Sequence, residues 1–147
     1  MNMILPRGIY LAPMVSASEL AFRMLVRKCG NASLCYSPML RANDVISVAM
    51  NSKKYMNTEF KVEIDKAGRT DSVEETAYLL LKDRHPEDTK NLVLQLCGSS
   101  PDKLFTATTS IMDLYSADNS SSIFGLDLNL GCPQQCAEKE RFGAFLV

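Results

Sequence analysis

Cys132 lies near the end of the run Leu126-Asp127-Leu128-Asn129-Leu130-Gly131-Cys132-Pro133-Gln134, which holds a thiol at the tip of a strand beside an amide. A free thiol has a pKa of about 8.5, so at neutral pH it is mostly protonated and can donate to a developing carbanion. Just upstream, Asn129 offers a carboxamide, which both donates and accepts hydrogen bonds. A second carboxamide, Gln95, sits in Leu92-Val93-Leu94-Gln95-Leu96. The competing reading of Cys132 is a small buried apolar residue, which is what most free cysteines are. Cys136 is the rival thiol, and Cys29, Cys35 and Cys97 read as core.

The elements that must carry these groups are legible. Leu126, Leu128 and Leu130 alternate with Asp127 and Asn129, a strand pattern that puts the leucines on one face and the polar pair on the other. Gly131 reads as a backbone shape closed to other residues, and Pro133 ends the pairing. In 92–96, Leu92, Leu94 and Leu96 share one face, and Val93 and Gln95 the other. Gly8 to Ala12 reads as a short strand halted by Pro13, and Ser33 to Tyr36 as another halted by Pro38.

Helices fall between the strands. Ser16 or Ser18 is expected to cap one that runs to Lys28, with Gly30 as its stop. Its apolar stripe is Leu20, Met24 and Leu25, or Phe22, Leu25 and Val26. Leu40 to Met50 reads as helical with Asn43 or Asp44 near its start. A further helix begins at Pro101, capped by Ser99 or Ser100, and reaches Tyr115. Gln134 to Leu146 reads as partly helical. Residues 51–90 hold 17 of the 33 charged residues, mixed in sign, and read as a solvated insertion. Within it a helix is expected over Ser72 to Lys82 and an exposed strand over Phe60 to Ile64; 116–122 is a polar loop.

Composition limits the classes. The chain has 147 residues, 46% hydrophobic and 22% charged, with formal net charge −1. That is ordinary for a soluble domain and is not the basic footprint of an autonomous nucleic-acid binder. Five cysteines without regular spacing, no secretory leader and no long apolar run suggest a reducing compartment and no membrane segment. His85 is the single histidine, beside Pro86, so a Ser-His or Cys-His pair is not expected, and the cysteines lack zinc-type pairing. No phosphate-binding Gly-rich motif is present.

Three blocks carry a family resemblance. Asp127-Leu128-Asn129-Leu130-Gly131-Cys132-Pro133-Gln134 with Phe142-Gly143-Ala144-Phe145-Leu146 resembles the signature of the tRNA-dihydrouridine synthases, FMN-dependent TIM-barrel enzymes that reduce uridine in tRNA. Leu11-Ala12-Pro13-Met14-Val15 with Ser18 to Arg23 resembles the family's first strand and helix, and Val93 to Gly98 its flavin-contacting strand.

The resemblance implies an α/β fold: the first half of a (β/α)8 TIM barrel, residues 1–147, with 51–90 inserted between the second and third units. A complete barrel typically needs about 250 residues, so the chain is expected to be truncated relative to the family and inactive alone, without the phosphate grip for FMN. By resemblance Cys132 is the general acid, Pro13, Met14, Val15 and Gln95 contact the flavin, and Asn129 holds uracil or the flavin edge. FMN is the implied cofactor, with NADPH or NADH as reductant, and tRNA and the missing C-terminal half of the barrel are the implied partners. No metal and no membrane are implied; the setting is cytoplasmic or nuclear. Two alternatives stay open: a non-catalytic or partner-binding half barrel, and another FMN barrel reductase acting on a free pyrimidine. Arg23 and Arg41 read as solvated charge rather than phosphate contacts. Two departures stand out. Glu140 occupies a position where the family commonly has glycine, which could repel tRNA phosphate or bend the loop over Cys132. Ser16 likewise replaces a common glycine, which could crowd the flavin.

Overall fold

Six consecutive residues, Leu92–Cys97, are all buried. Such a run marks a central parallel strand covered on both faces. In the computed structural model, which describes residues 7–56, 72–116 and 123–146, this strand is β3. The sheet also holds β1 (Ile9–Leu11), β2 (Ala32–Arg41) and β4 (Gly125–Leu128), in the order β1-β2-β3-β4 with every pair parallel. Helices α1 (Leu20–Gly30), α2 (Ala42–Met50), α3 (Ser52–Met56), α4 (Ser72–Leu81) and α5 (Pro86–Thr89) precede β3. α6 (Pro101–Ser116) leads to β4, and α7 (Gln135–Glu140) and a 3-10 turn (Gly143–Phe145) follow it. Parallel neighbours in chain order with helical crossovers make this a partial (β/α)8 barrel.

The main core lies between the sheet and helices α2, α4 and α6. Leu92, Leu94 and Leu96 of β3 pack there with Val45, Val48, Leu80, Ala107, Ile111 and Tyr115. Gln95 therefore faces the opposite side, toward the barrel interior. A second cluster of Cys97, Ala137 and Phe142 sits at the C-terminal end of β3, with Met39, Cys132, Cys136 and Phe145 against it.

Several expectations need correction. Pro38 does not end β2. The strand passes it by a bulge: Tyr36 pairs with Val93 and Met39 with Gln95, so three steps of β2 span two of β3. The Ser37 hydroxyl accepts the Gln95 N–H at 3.1 Å within that irregularity. Neither Ser16 nor Ser18 caps α1, whose N-cap position is Glu19 without a side-chain bond. Ser18 instead closes the turn before it, accepting the Met14 N–H and donating to the Met14 carbonyl, each at 2.9 Å. The Leu20 N–H at the start of α1 is taken by the Asp83 carboxylate at 3.0 Å. Gly30 is the last helical residue and Asn31 takes the left-handed cap position, with φ 52°.

The expected apolar stripe of α1 is not its buried face. Phe22 and Leu25 are 39% and 54% exposed, whereas Arg23 is 1% exposed. Arg23 is thus not solvated charge. It donates to Asp88 at 2.9 Å and Asp83 at 3.2 Å, and Arg27 joins Asp88 at 2.9 Å. Burial also corrects the solvated reading of 51–90 over residues 72–90, where Ala77, Leu79 and Leu80 sit in the core and Asp83 and Asp88 are buried in the Arg23 network. Cys29 is exposed rather than core, while Cys35 and Cys97 are buried. The strand expected over 60–64 and most of the loop over 116–122 lie outside the described residues. Among the described residues no helix is long and apolar enough to cross a membrane.

Candidate active site at the C-terminal ends of the strands

Parallel register sets one row across three strands: Met39 on β2, Gln95 on β3 and Asp127 on β4. Residues level with one another on a parallel sheet point to the same face. The Gln95 amide nitrogen accordingly donates to Asp127 Oδ2 at 2.7 Å. Beyond β4, the Asn129 N–H still donates to the Leu96 carbonyl at 2.8 Å, so the chain stays level with β3 for one more residue. That places the Asn129 carboxamide beside Gln95, where Nδ2 donates to Gln95 Oε1 at 3.0 Å and lies 3.6 Å from Met39 Sδ.

The other end of the Asn129 carboxamide grips the thiol loop. Its Oδ1 accepts the Cys132 N–H at 2.9 Å and the Gly131 N–H at 3.2 Å. From the far side, the Ala144 N–H donates to the Cys132 carbonyl at 3.1 Å. Gly143 makes that approach possible: its φ is +59°, and a Cβ there would lie 2.8 Å from the Cys132 carbonyl oxygen. Gly131 is different. It does not take a left-handed conformation, and a Cβ there would meet nothing within 4 Å, so the backbone argument for this glycine fails.

Gln95, Asn129 and the Cys132 backbone are thus one hydrogen-bonded unit. Gln95 is buried at 7% exposure, and Asn129 and Cys132 are half-buried. Pro13, Met14 and Val15 follow β1 at the same end of the sheet, separated from β3 by β2. Their turn is held internally, with the Ser18 N–H on the Met14 carbonyl at 3.0 Å. Pro13 and Met14 are half-buried and Val15 is 52% exposed. Ser16 adopts φ 58°, a left-handed shape that glycine takes without strain, and is exposed.

Sequence reading gave no role to Asp127, Met39 or Tyr36. Alternation along β4 already put Asp127 on the Asn129 face, but its partner lies on another strand. Burial pushes the Tyr36 hydroxyl above its ordinary pKa, reinforced by the nearby Asp127 and Tyr10. Cys97, beneath Cys132, is pushed up to about 12, chiefly by burial. His85 caps α5, accepting the Glu87 N–H on Nδ1 at 3.2 Å. Glu140 pairs with Arg41 at 3.2 Å. The left-handed residue there is its neighbour Arg141, with φ 54°. A cleft of about 240 Å³ beside this pair is lined by Asn43, Cys97, Ser99, Ser100 and Lys103. Among the described residues no cluster of three or more potential ligands could hold a metal ion.

Comparison with known proteins bears on this geometry. The family model described as dihydrouridine synthase matches residues 10–147. A Rattus norvegicus protein named "tRNA-dihydrouridine(16/17) synthase [NAD(P)(+)]-like" is 37% identical over 136 residues, covering 92% of this chain and 23% of the relative. The Saccharomyces cerevisiae tRNA-dihydrouridine(16/17) synthase is 35% identical over 137 residues, 93% of this chain and 25% of its own. A Homo sapiens protein named "tRNA-dihydrouridine(20a/20b) synthase [NAD(P)+]-like" is 30% identical over 136 residues, 92% of this chain and 32% of its own. The chain spans about a quarter to a third of the length of these relatives.

Proposed function

The chain belongs to the dihydrouridine synthase family, and from that premise we propose that it carries the acid and part of the cofactor cradle of a site that reduces the C5=C6 bond of uridine in tRNA. No side chain donates hydride. FMN, recharged by NADPH or NADH, would supply it when bound.

The residues present suit such a group. Gln95 spends one amide hydrogen on Asp127 and accepts one bond from Asn129. One hydrogen and one lone pair remain for the polar edge of a flavin ring. Pro13, Met14 and Val15 would pack against the ring from the β1 side. Open space at Gly131 would let a planar ligand approach the backbone closely, a role for glycine that the chain's own conformation does not require.

Cys132 would deliver the proton. In this reading its Sγ–H protonates C5 of uracil as C6 receives hydride, and Asn129 offers the base the one Nδ2 hydrogen it does not spend on Gln95, now turned toward Met39 Sδ. The observation that carries the proposal is the Asn129 carboxamide, which binds the flavin-contact candidate Gln95 through Nδ2 and the Cys132 N–H through Oδ1. A tRNA uridine would have to leave its stack to reach this loop.

A second reading has one observation in its favour. β4 is a sheet edge among the described residues, with Leu128 and Leu130 40% and 63% exposed. A half barrel that binds a partner supplying further strands, without catalysis, would use that edge. Deleting the gene and mapping dihydrouridine in tRNA separates the two. Loss at one or more uridines supports the enzyme; an unchanged map supports the partner-binding reading. Reduction of free uracil or orotate without RNA would favour a free-pyrimidine reductase instead.

A further inference from the structure

Asp127 has a place in this site that family membership does not assign. Four hydrogen bonds run in one direction from it: Gln95 Nε2 to Asp127 Oδ2 at 2.7 Å, Asn129 Nδ2 to Gln95 Oε1 at 3.0 Å, and the Cys132 and Gly131 N–H groups to Asn129 Oδ1 at 2.9 and 3.2 Å. The two ends of the chain are chemically fixed. An ionised carboxylate can only accept, and a backbone N–H can only donate. The two carboxamides between them could each be turned either way in isolation. Between these ends only one orientation of each satisfies every group.

We propose that Asp127 is a positioning residue for the reaction: its carboxylate anchors the Gln95–Asn129 amide chain that holds the backbone of Cys132 at the barrel mouth. The catalytic purpose rests on the function proposed above; the hydrogen-bond chain does not.

Physical chemistry supports the direction of control. The bond to the carboxylate is the shortest of the four, as expected when one partner is charged. Hydrogen bonds in series polarise one another, so a charged acceptor at the head strengthens the links behind it. Gln95 is 7% exposed, so an amide hydrogen stripped of its acceptor would find little water. Asn129 in turn has both ends of its carboxamide committed. A slack Gln95 leaves it free to rotate, and the Cys132 N–H goes with it.

Two experiments on the purified protein test this without flavin or tRNA. The first compares Asp127→Ala with Asp127→Asn. Asparagine can still present an oxygen to Gln95, and alanine cannot. In Asp127→Ala the Cys132 amide should exchange with deuterium about tenfold faster, the factor for one lost charge-assisted hydrogen bond. Alkylation of Cys132, read peptide by peptide against exposed Cys29, should accelerate in parallel. Asp127→Asn should stay within about twofold of wild type on both readouts, since it keeps the acceptor. An unchanged Cys132 amide in Asp127→Ala, or Asp127→Asn as disruptive as alanine, would overturn the proposal.

The second is a polarity swap, which decides the matter even if Asp127→Ala does not fold. Asn129→Asp sets two carboxylates against a Gln95 amide that has one donor end. It should shift the unfolding equilibrium about tenfold toward the unfolded state, the scale of a broken buried hydrogen bond. Adding Asp127→Asn gives Gln95 a donor on one side and a carboxylate on the other. The reversed chain is then complete, and the double variant should recover most of the lost stability in urea. Additive effects of the two substitutions would show that Asp127 acts only as local filling. The two proposals fail separately. Unchanged dihydrouridine in Cys132→Ala cells defeats the function and leaves the exchange results standing, while unchanged exchange in Asp127→Ala defeats the positioning role and leaves the function standing.

Discussion

Gly143 sits so close to Cys132 that a side chain on the first would displace the backbone of the second. A Cβ at Gly143 would lie 2.8 Å from the Cys132 carbonyl oxygen and 2.9 Å from its nitrogen, and φ there is +59°. The Phe-Gly-Ala block and the Gly-Cys-Pro block are therefore two halves of one backbone clasp, closed by the Ala144 N–H on the Cys132 carbonyl.

Gly143→Ala should consequently cost about 1–3 kcal/mol, the scale of a strained left-handed residue with a steric conflict. Gly131→Ala should stay within about 0.5 kcal/mol, because it is free of both problems. Urea midpoints of the two variants check the contrast. Equal costs would contradict the clasp.

Arg23 and Arg41 should differ just as sharply. Arg23→Ala takes the shared cation from Asp83 and Asp88, 3% and 0% exposed, leaving Asp88 only Arg27 and Asp83 only the Leu20 N–H among the described residues, and is expected to cost about 3–5 kcal/mol. Arg41→Ala breaks a pair whose members are 34% and 41% exposed, and is expected to cost about 1 kcal/mol or less. Thermal unfolding of both variants measures this. The buried network joins α1 to the segment from Asp83 to Asp88, so the loss from Arg23→Ala should appear as early opening of α1 in hydrogen exchange.

Cys97 makes stability fall at high pH. Burial holds its folded pKa at about 12 against an ordinary 9.0. Above the ordinary value the unfolded chain releases this proton while the folded chain keeps it, so the unfolded state binds fewer protons and stability drops. The contribution is fully present below pH 9.0 and is lost progressively toward about 12. Cys97→Ala should flatten that part of the alkaline limb of a stability profile. An unchanged slope would mean that other groups carry it.

Much of this arrangement is visible in the chain itself. Alternation in Leu92–Leu96 correctly separates the core face from Gln95, because a period of two is a local property; in 126–130 it puts Asp127 and Asn129 on the Gln95 side and Leu126 against the core, but Leu128 and Leu130 are exposed where β4 ends. What is not local is hidden. Arg23 looks like surface charge because its partners Asp83 and Asp88 lie some 60 residues on. Pro38 looks like a strand end because the bulge that carries β2 past it depends on the neighbouring strand. Asp127 looks idle until β3 is beside it. Ser16 shows the reverse: a glycine position kept in shape, φ 58°, by a residue with a Cβ.

Ser16→Gly should be tolerated, within about 1 kcal/mol of wild type, while Ser16→Val should cost about 1–3 kcal/mol, since a β-branched residue is strained at positive φ. Urea denaturation distinguishes them. Equal stability of the two would show that the turn reshapes freely.

The central claim is that the Cys132 thiol is the proton donor. Its direct measurement is the dihydrouridine content of tRNA, by nucleoside mass spectrometry, in cells whose gene encodes Cys132→Ala or Cys136→Ala, against wild type and deletion. The account predicts that Cys132→Ala matches the deletion and that Cys136→Ala matches wild type. Wild-type dihydrouridine in the Cys132→Ala cells, where the deletion shows a loss, would contradict it.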